Sequence, residues 1–184
     1  VTALLGPNGA GKTTSIQLAL NLLRRDDGTL SLLGVDAQKL RPEHFQQIGY
    51  VSENQELPLW MSVDRYLDFL RPMYSQWDRD LERTLRERFD LPGDRRLKEL
   101  SRGMRMKAQL LSSLTYRPEL VLLDEPFSGL DPLARDEFLD GLLVMTGENG
   151  WSVLVSSHGV AVPSWTSAQD LNPGEAFISL YLAW

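Results

Sequence analysis

The sequence predicts an α/β fold: a mainly parallel sheet flanked by helices, with a helical lobe inserted between its strands. Three observations carry this. Short apolar runs alternate with stretches of helical spacing. The runs at 1–5, 120–123 and 151–155 are nearly continuous in apolar residues, as strands covered on both faces are. The stretch 57–114 breaks the alternation with two or three helical patterns in succession.

Element by element, residues 1–5 form a strand stopped by Gly6-Pro7-Asn8-Gly9. From Thr13, Ile16, Leu20 and Leu23 recur at helical spacing, which places Arg24 and Arg25 in a last turn where cations suit the dipole. Asp26-Asp27-Gly28 closes that helix and opens a short strand over 29–33. A further strand is expected at 48–51. The lobe carries Trp60, Trp77 and several arginines, with Ser62 and Ser101 as N-caps. Strand character returns at 120–123. A helix over 132–145, with Pro132 in its first turn, and a strand at 151–155 complete the pattern. Four segments follow: the first part of a core at 1–53, the helical lobe at 54–114, the second part of the core at 115–158, and an atypical tail at 159–184. All 19 basic residues lie at or before Arg135, and the tail carries only Asp170 and Glu175 as charges. It lacks clean helical or alternating periodicity.

Bulk properties narrow the function. The chain has 184 residues, 42% of them hydrophobic and 24% charged, which is globular composition. A net charge of −6 argues against a general nucleic-acid binder, so no nucleic-acid partner is expected. Cysteine is absent, which excludes disulfides and thiolate metal sites. No run of 18 apolar residues occurs. The chain opens at Val1 without a charged-then-apolar leader, which reads as a fragment of a cytoplasmic protein.

Gly6-Pro7-Asn8-Gly9-Ala10-Gly11-Lys12-Thr13 fits G-x-x-x-x-G-K-S/T at every fixed position, with a strand before it and a helix after it. This is a P-loop. Its glycines let backbone N–H groups turn toward phosphate oxygens, and the helix N-terminus adds its positive end. Asn8, Gly9, Gly11, Lys12, Thr13 and Thr14 are the expected nucleotide-binding residues. Lys12 reaches the β- and γ-phosphates, Thr13 holds Mg²⁺, and Thr14 is placed to donate to the α-phosphate.

Leu120-Val121-Leu122-Leu123 ends in Asp124-Glu125, two carboxylates at the mouth of a buried strand. Beside a phosphate cradle, Asp124 is the expected acid on Mg²⁺ and Glu125 the expected general base toward the attacking water. A divalent cation between these carboxylates and the phosphates makes their place at the core edge tolerable.

At this point the chain resembles the nucleotide-binding domains of ATP-binding cassette (ABC) transporters. The resemblance covers about 1–158 and rests on six motifs in the family's order: GPNGAGKTT at 6–14, IGYVSE at 48–53, LSRGM at 100–104, LVLLDEP at 120–126, SGLD at 128–131 and SSH at 156–158. It implies a P-loop NTPase that hydrolyses ATP with Mg²⁺. It also implies a head-to-tail partnership with a second nucleotide-binding domain, and docking to a membrane-spanning transporter subunit at the inner face of the cell membrane. Ser101 and Gly103 would face the nucleotide held by the opposite domain. His158 resembles the switch histidine that contacts the γ-phosphate and helps hold the attacking water. Asp131 resembles the loop aspartate that communicates across the dimer; it is equally a helix N-cap before Pro132. Trp60 and its neighbours are read either as part of the membrane-subunit groove or as lobe packing.

The chain departs from the family pattern in several places. Arg102 and Met104 stand where LSGGQ has a glycine and a glutamine. Glu53 stands where the family has a glutamine; as a carboxylate it remains a possible Mg²⁺ ligand, and it points toward export. The aromatic residue that stacks on adenine normally lies upstream of Val1, and the tail past His158 does not continue the resemblance. A shifted reading frame or a truncated gene would produce such a tail. The leading expectation is therefore the ATP-hydrolysing subunit of an exporter. A soluble ABC ATPase acting on ribosomes or DNA, and an inactive truncated remnant, stay open beside it.

Overall fold

In the computed structural model the residues described are 1–130, 135, 138–139, 141–142, 145–147, 150–158 and 180–181. Five strands form one sheet in the order β4-β5-β6-β1-β7. These are β1 (Thr2–Leu5), β4 (Ile48–Ser52), β5 (Leu120–Asp124), β6 (Ser152–Ser157) and β7 (Leu180–Tyr181). Every pairing in it is parallel, as the alternating pattern predicts. A separate antiparallel hairpin joins β2 (Ser31–Leu32) to β3 (Val35–Asp36).

Alternation along the strands decides what covers each face. Val121 and Leu123 of β5, with Val153 and Val155 of β6, point into the larger apolar cluster. Leu122 points the other way, into a cluster with Ile16, Leu20 and Ile48. Side chains on successive strand residues face opposite sides, so the near-continuous apolar runs serve both layers. Helix α1 (Lys12–Ala19) covers one face through Ile16. Helix α5 (Arg102–Leu114) covers the other through Leu110, Leu111 and Leu114, all fully buried. Each such leucine contributes about 1.5–3 kcal/mol. Gly49 of β4 is needed for this contact, because a Cβ there would meet the Ser113 carbonyl of α5 at 2.9 Å.

The inserted lobe is helical as expected, and its caps are the residues that capping chemistry favours. Helix α3 (Val63–Leu70) is capped by Ser62, whose Oγ accepts from the Arg65 N–H at 3.3 Å. Helix α4 (Arg79–Phe89) is capped by Asp78, which accepts from Leu81 N–H at 2.8 Å. Ser101 caps α5, accepting from Met104 N–H at 3.2 Å. The short α2 (Pro42–Phe45) opens with proline at its first position. Lobe residues Val63, Leu67 and Leu85 share one continuous apolar cluster with the sheet.

Three local expectations are corrected. Helix α1 ends at Ala19, so Arg24 and Arg25 do not occupy its last turn, and the Asp26-Asp27-Gly28 stretch is not its terminator. Asn21 takes a positive φ of 55°, which turns the chain away and leaves Leu22 and Leu23 exposed. The strand expected over 29–33 shrinks to the two residues of β2. Trp60 is 66% exposed and does not pack the lobe; Trp77 does, and donates its indole N–H to Glu82 at 2.7 Å. The described residues between 135 and 147 are helical, in keeping with the helix expected at 132–145. Asp131 and almost all of the tail at 159–184 lie outside the described residues.

Candidate functional site

The carboxyl ends of β1, β5 and β6 lie side by side, and the functional side chains sit at that edge. This is the crevice where open α/β sheets bind ligands. The loop leaving β1 turns through Gly9 at φ 85° and Gly11 at φ 88°, values that favour glycine. No side chain caps the N-terminus of α1 behind it. Its first-turn N–H groups, which have no partner within a helix, thus remain available to an anion. Asn8, Gly9 and Thr14 are exposed along this cradle.

Lys12 is buried, with 5% exposure, and folds back across the loop. Its Nζ donates to the Gly6 carbonyl at 2.8 Å and the Pro7 carbonyl at 3.1 Å, and pairs with Glu125 Oε1 at 3.1 Å. Thr13 donates its hydroxyl to Asp124 Oδ1 at 3.0 Å. Glu125 follows the strand with φ 50°, a sparsely populated conformation for a residue with a side chain, of the kind that clusters at functional sites. Its second oxygen, Oε2, lies 2.8 Å from His158 Nδ1 and accepts from the His158 backbone N–H at 3.3 Å. Lys12, Thr13, Asp124, Glu125 and His158 therefore form one connected cluster.

Ser156 completes it, and sequence reasoning gave that residue no role. It is fully buried beside Asp124 in the β5–β6 register. Its hydroxyl donates to Asp124 Oδ1 at 2.7 Å and accepts from the Glu125 N–H at 2.9 Å. One hydroxyl thus sets both carboxylate-bearing residues. The signal was a serine ending an apolar strand just before His158.

The expected oxygen donors fit magnesium. Thr13 and Asp124 place a hydroxyl and a carboxylate oxygen in contact, a hard, oxygen-only set. Among the described residues no group of three or more His, Cys, Asp or Glu forms a dedicated metal cage. Two protein ligands with phosphates supplying others is the usual manner of Mg²⁺ at such sites.

The remaining predicted residues lie apart from this cluster. Ser101 and Gly103 stand at the start of α5; Ser101 is exposed, and its hydroxyl caps its own helix. Glu53 follows β4, and its backbone N–H donates to the Asp124 carbonyl at 3.2 Å. Its carboxylate forms an ion pair with Arg102 rather than joining Thr13 and Asp124.

The family model for the ABC transporter matches residues 1–128. The chain belongs to the ABC transporter family. Among curated relatives, the ABC transporter ATP-binding protein YtrB of Bacillus subtilis (strain 168) is 32% identical over 158 residues, covering 86% of this chain and 54% of that protein. The uncharacterized ABC transporter ATP-binding protein YhaQ of the same organism is 37% identical over 163 residues, covering 84% and 52%. The chain spans about half the length of these curated relatives. Among solved structures, cbiO1 from Clostridium perfringens, part of the ABC transporter complex cbiONQ, superposes with a TM-score of 0.72 at 25% identity, covering 86% of this chain and 66% of that one. A putative ABC transporter ATP-binding protein from Pyrococcus furiosus gives 0.71 at 27% identity, covering 86% and 78%. The ABC domain described here thus shares the P-loop NTPase fold of those structures, as the motif order predicts.

Proposed function

We propose that this ABC domain binds ATP with Mg²⁺ and hydrolyses it to drive a membrane transporter. The observation that carries the reading is the single cluster at the sheet edge, where Lys12 meets Glu125 at 3.1 Å and Thr13 meets Asp124 at 3.0 Å.

In this reading Lys12 leaves the Gly6 and Pro7 carbonyls for the phosphate oxygens, and the N-terminus of α1 takes the remaining negative charge. Thr13 and Asp124 would hold a magnesium ion, which when bound would neutralise charge developing on the phosphates. Departure of Lys12 frees Glu125 Oε1 to accept the proton of the attacking water. His158 keeps the carboxylate oriented through Oε2. Ser156 fixes the carboxylate of Asp124 and the backbone of Glu125, so neither must reorganise during the reaction.

Partners belong to the same reading. Ser101 and Gly103, at the start of α5, are free of the cluster and suit a nucleotide held by a second such domain. A cavity of about 530 Å³ between the loop after β4 and α5 is lined by Gln55, Glu56, Leu57, Leu59 and Arg105. Trp60 is exposed just beyond Leu59. This groove suits a segment of a membrane-spanning subunit, which would hold the domain peripherally at the inner face of the membrane. Among the described residues no helix is long and apolar enough to cross a membrane. Glu53, in the place where the resemblance has glutamine, supports export as the direction.

Phosphate release from MgATP by the unmodified chain tests the activity. Turnover that vanishes in Lys12→Ala is expected, and turnover indifferent to that change would refute the reading. Co-purification with a membrane subunit, and the direction of transport by that complex in vesicles, test the partner and export.

A further inference from the structure

We propose that Arg102 is a positioning residue, one that ties the start of α5 to the two acids of the nucleotide site through Glu53 and Ser128. The proposal rests on the nucleotide-hydrolysing reading above.

Arg102 opens α5 and directs its guanidinium back toward the sheet edge. There it forms an ion pair with Glu53 and donates to Ser128 Oγ at 3.2 Å. Both acceptors hang from the acids by main-chain hydrogen bonds. Glu53 N–H donates to the Asp124 carbonyl at 3.2 Å, and Ser128 N–H donates to the Glu125 carbonyl at 3.1 Å. One guanidinium therefore spans the loop after β4, the loop after β5 and the first turn of α5. Both contacts leave from one guanidinium nitrogen, Nη2.

Two further observations bear on the contact. Gly129 takes φ 67°, and a Cβ on it would collide with the Arg102 guanidinium. The side chain lies directly over bare backbone. Arg102 and Glu53 also stand where the resembled motifs carry glycine and glutamine, so both partners of the bridge differ from the usual pattern in one chain. The side chains are 49% and 30% exposed, so the attraction is screened and its effect is a modest one on geometry.

The test compares the unmodified chain with Arg102→Met, Glu53→Gln, their combination, and Arg102→Lys. Steady-state kcat and KM for MgATP are read at low and high salt. Each single change is expected to lower kcat by up to about fivefold with KM nearly constant. The double variant should fall no further than Arg102→Met alone, because that change already removes both arms of the bridge. Arg102→Lys should recover part of the loss, and high salt should narrow the gap between the unmodified chain and Arg102→Met. Additive losses, kcat unchanged by either single change, or losses confined to KM would overturn the proposal while leaving the nucleotide reading intact. Absence of phosphate release by the unmodified chain would instead overturn the reading beneath it, a result visible before any variant is compared.

Discussion

Lys12 and Glu125 face each other at 3.1 Å across the mouth of the sheet, with 5% and 16% of their side chains exposed. The glutamate is held on its other oxygen by His158 at 2.8 Å. The pair brings the expected phosphate cation and the expected general base into direct contact, so in the proposed reading a phosphate bound at Lys12 would release the base. Replacing Glu125 by glutamine keeps an oxygen for Lys12 but removes the proton acceptor. Turnover is expected to fall by about two to four orders of magnitude. Nucleotide affinity should be retained. Steady-state phosphate release beside equilibrium binding checks this, and undiminished turnover would sink the assignment of Glu125.

Lys12→Ala should act on binding itself. The variant removes the side chain that spans the Gly6 and Pro7 carbonyls and Glu125. It also leaves the mostly buried Glu125 carboxylate without its ion pair, held by its contacts to His158, at a cost of about 1–3 kcal/mol. Two readouts should move together: nucleotide binding becomes weaker by at least about tenfold, which is about 1.4 kcal/mol, and the urea midpoint of unfolding drops. An unchanged dissociation constant would count against the cradle.

Ser156→Ala tests the residue that holds both acids. Its hydroxyl bonds Asp124 Oδ1 and the Glu125 N–H, and it is fully buried. Alanine leaves that N–H without its acceptor, an expected loss of about 1–3 kcal/mol in stability. Because Glu125 sits at φ 50°, loss of its anchor should also let the carboxylate drift from His158. The expected signature is a lower kcat with KM nearly unchanged. Full activity with full stability would show that the hydroxyl bridge sets nothing.

What was legible in the sequence, and what was not, follows from the range of the interaction that decides each feature. The cradle at 6–13 could be read because phosphate binding demands glycine, lysine and a hydroxyl at fixed offsets within one loop. Asp124-Glu125 was legible because acids ending an apolar strand are costly without a cation. The end of α1 was misread: Leu23 continued the apolar spacing, but Asn21 turns the chain at a positive φ and Leu23 stays in solvent. The short β7 strand, paired to β1, has no local periodicity to announce it. Ser156 and the bridge from Arg102 to Glu53 depend on strand register and on a helix returning from the lobe, and no spacing rule encodes either.

Asp78 offers a test of the lobe that is separate from the chemistry. It caps α4 by accepting from the Leu81 N–H at 2.8 Å, and it pairs with Arg117 Nε at 2.8 Å just past the end of α5. Its own backbone N–H donates to the Thr115 carbonyl at 2.8 Å. Asp78 therefore joins the start of α4 to the chain leaving α5. The Leu81 N–H, and then the Arg117 guanidinium, hold its carboxyl below the ordinary aspartate value. A carboxyl lowered on folding contributes stability that is present above its unfolded value of about 3.9 and lost as pH falls through the lower folded one. Asp78→Ala should therefore destabilise the chain by about 1 kcal/mol near neutral pH, mainly through the lost cap, since the ion pair with Arg117 is solvent-screened. Below about pH 4 the difference between the two proteins should shrink, because the unmodified chain loses the same contribution there. Urea unfolding of both proteins at pH 7 and at successively lower pH measures the gap. A gap that stays constant down to the acid limit would show that the carboxylate form of Asp78 is not what secures α4.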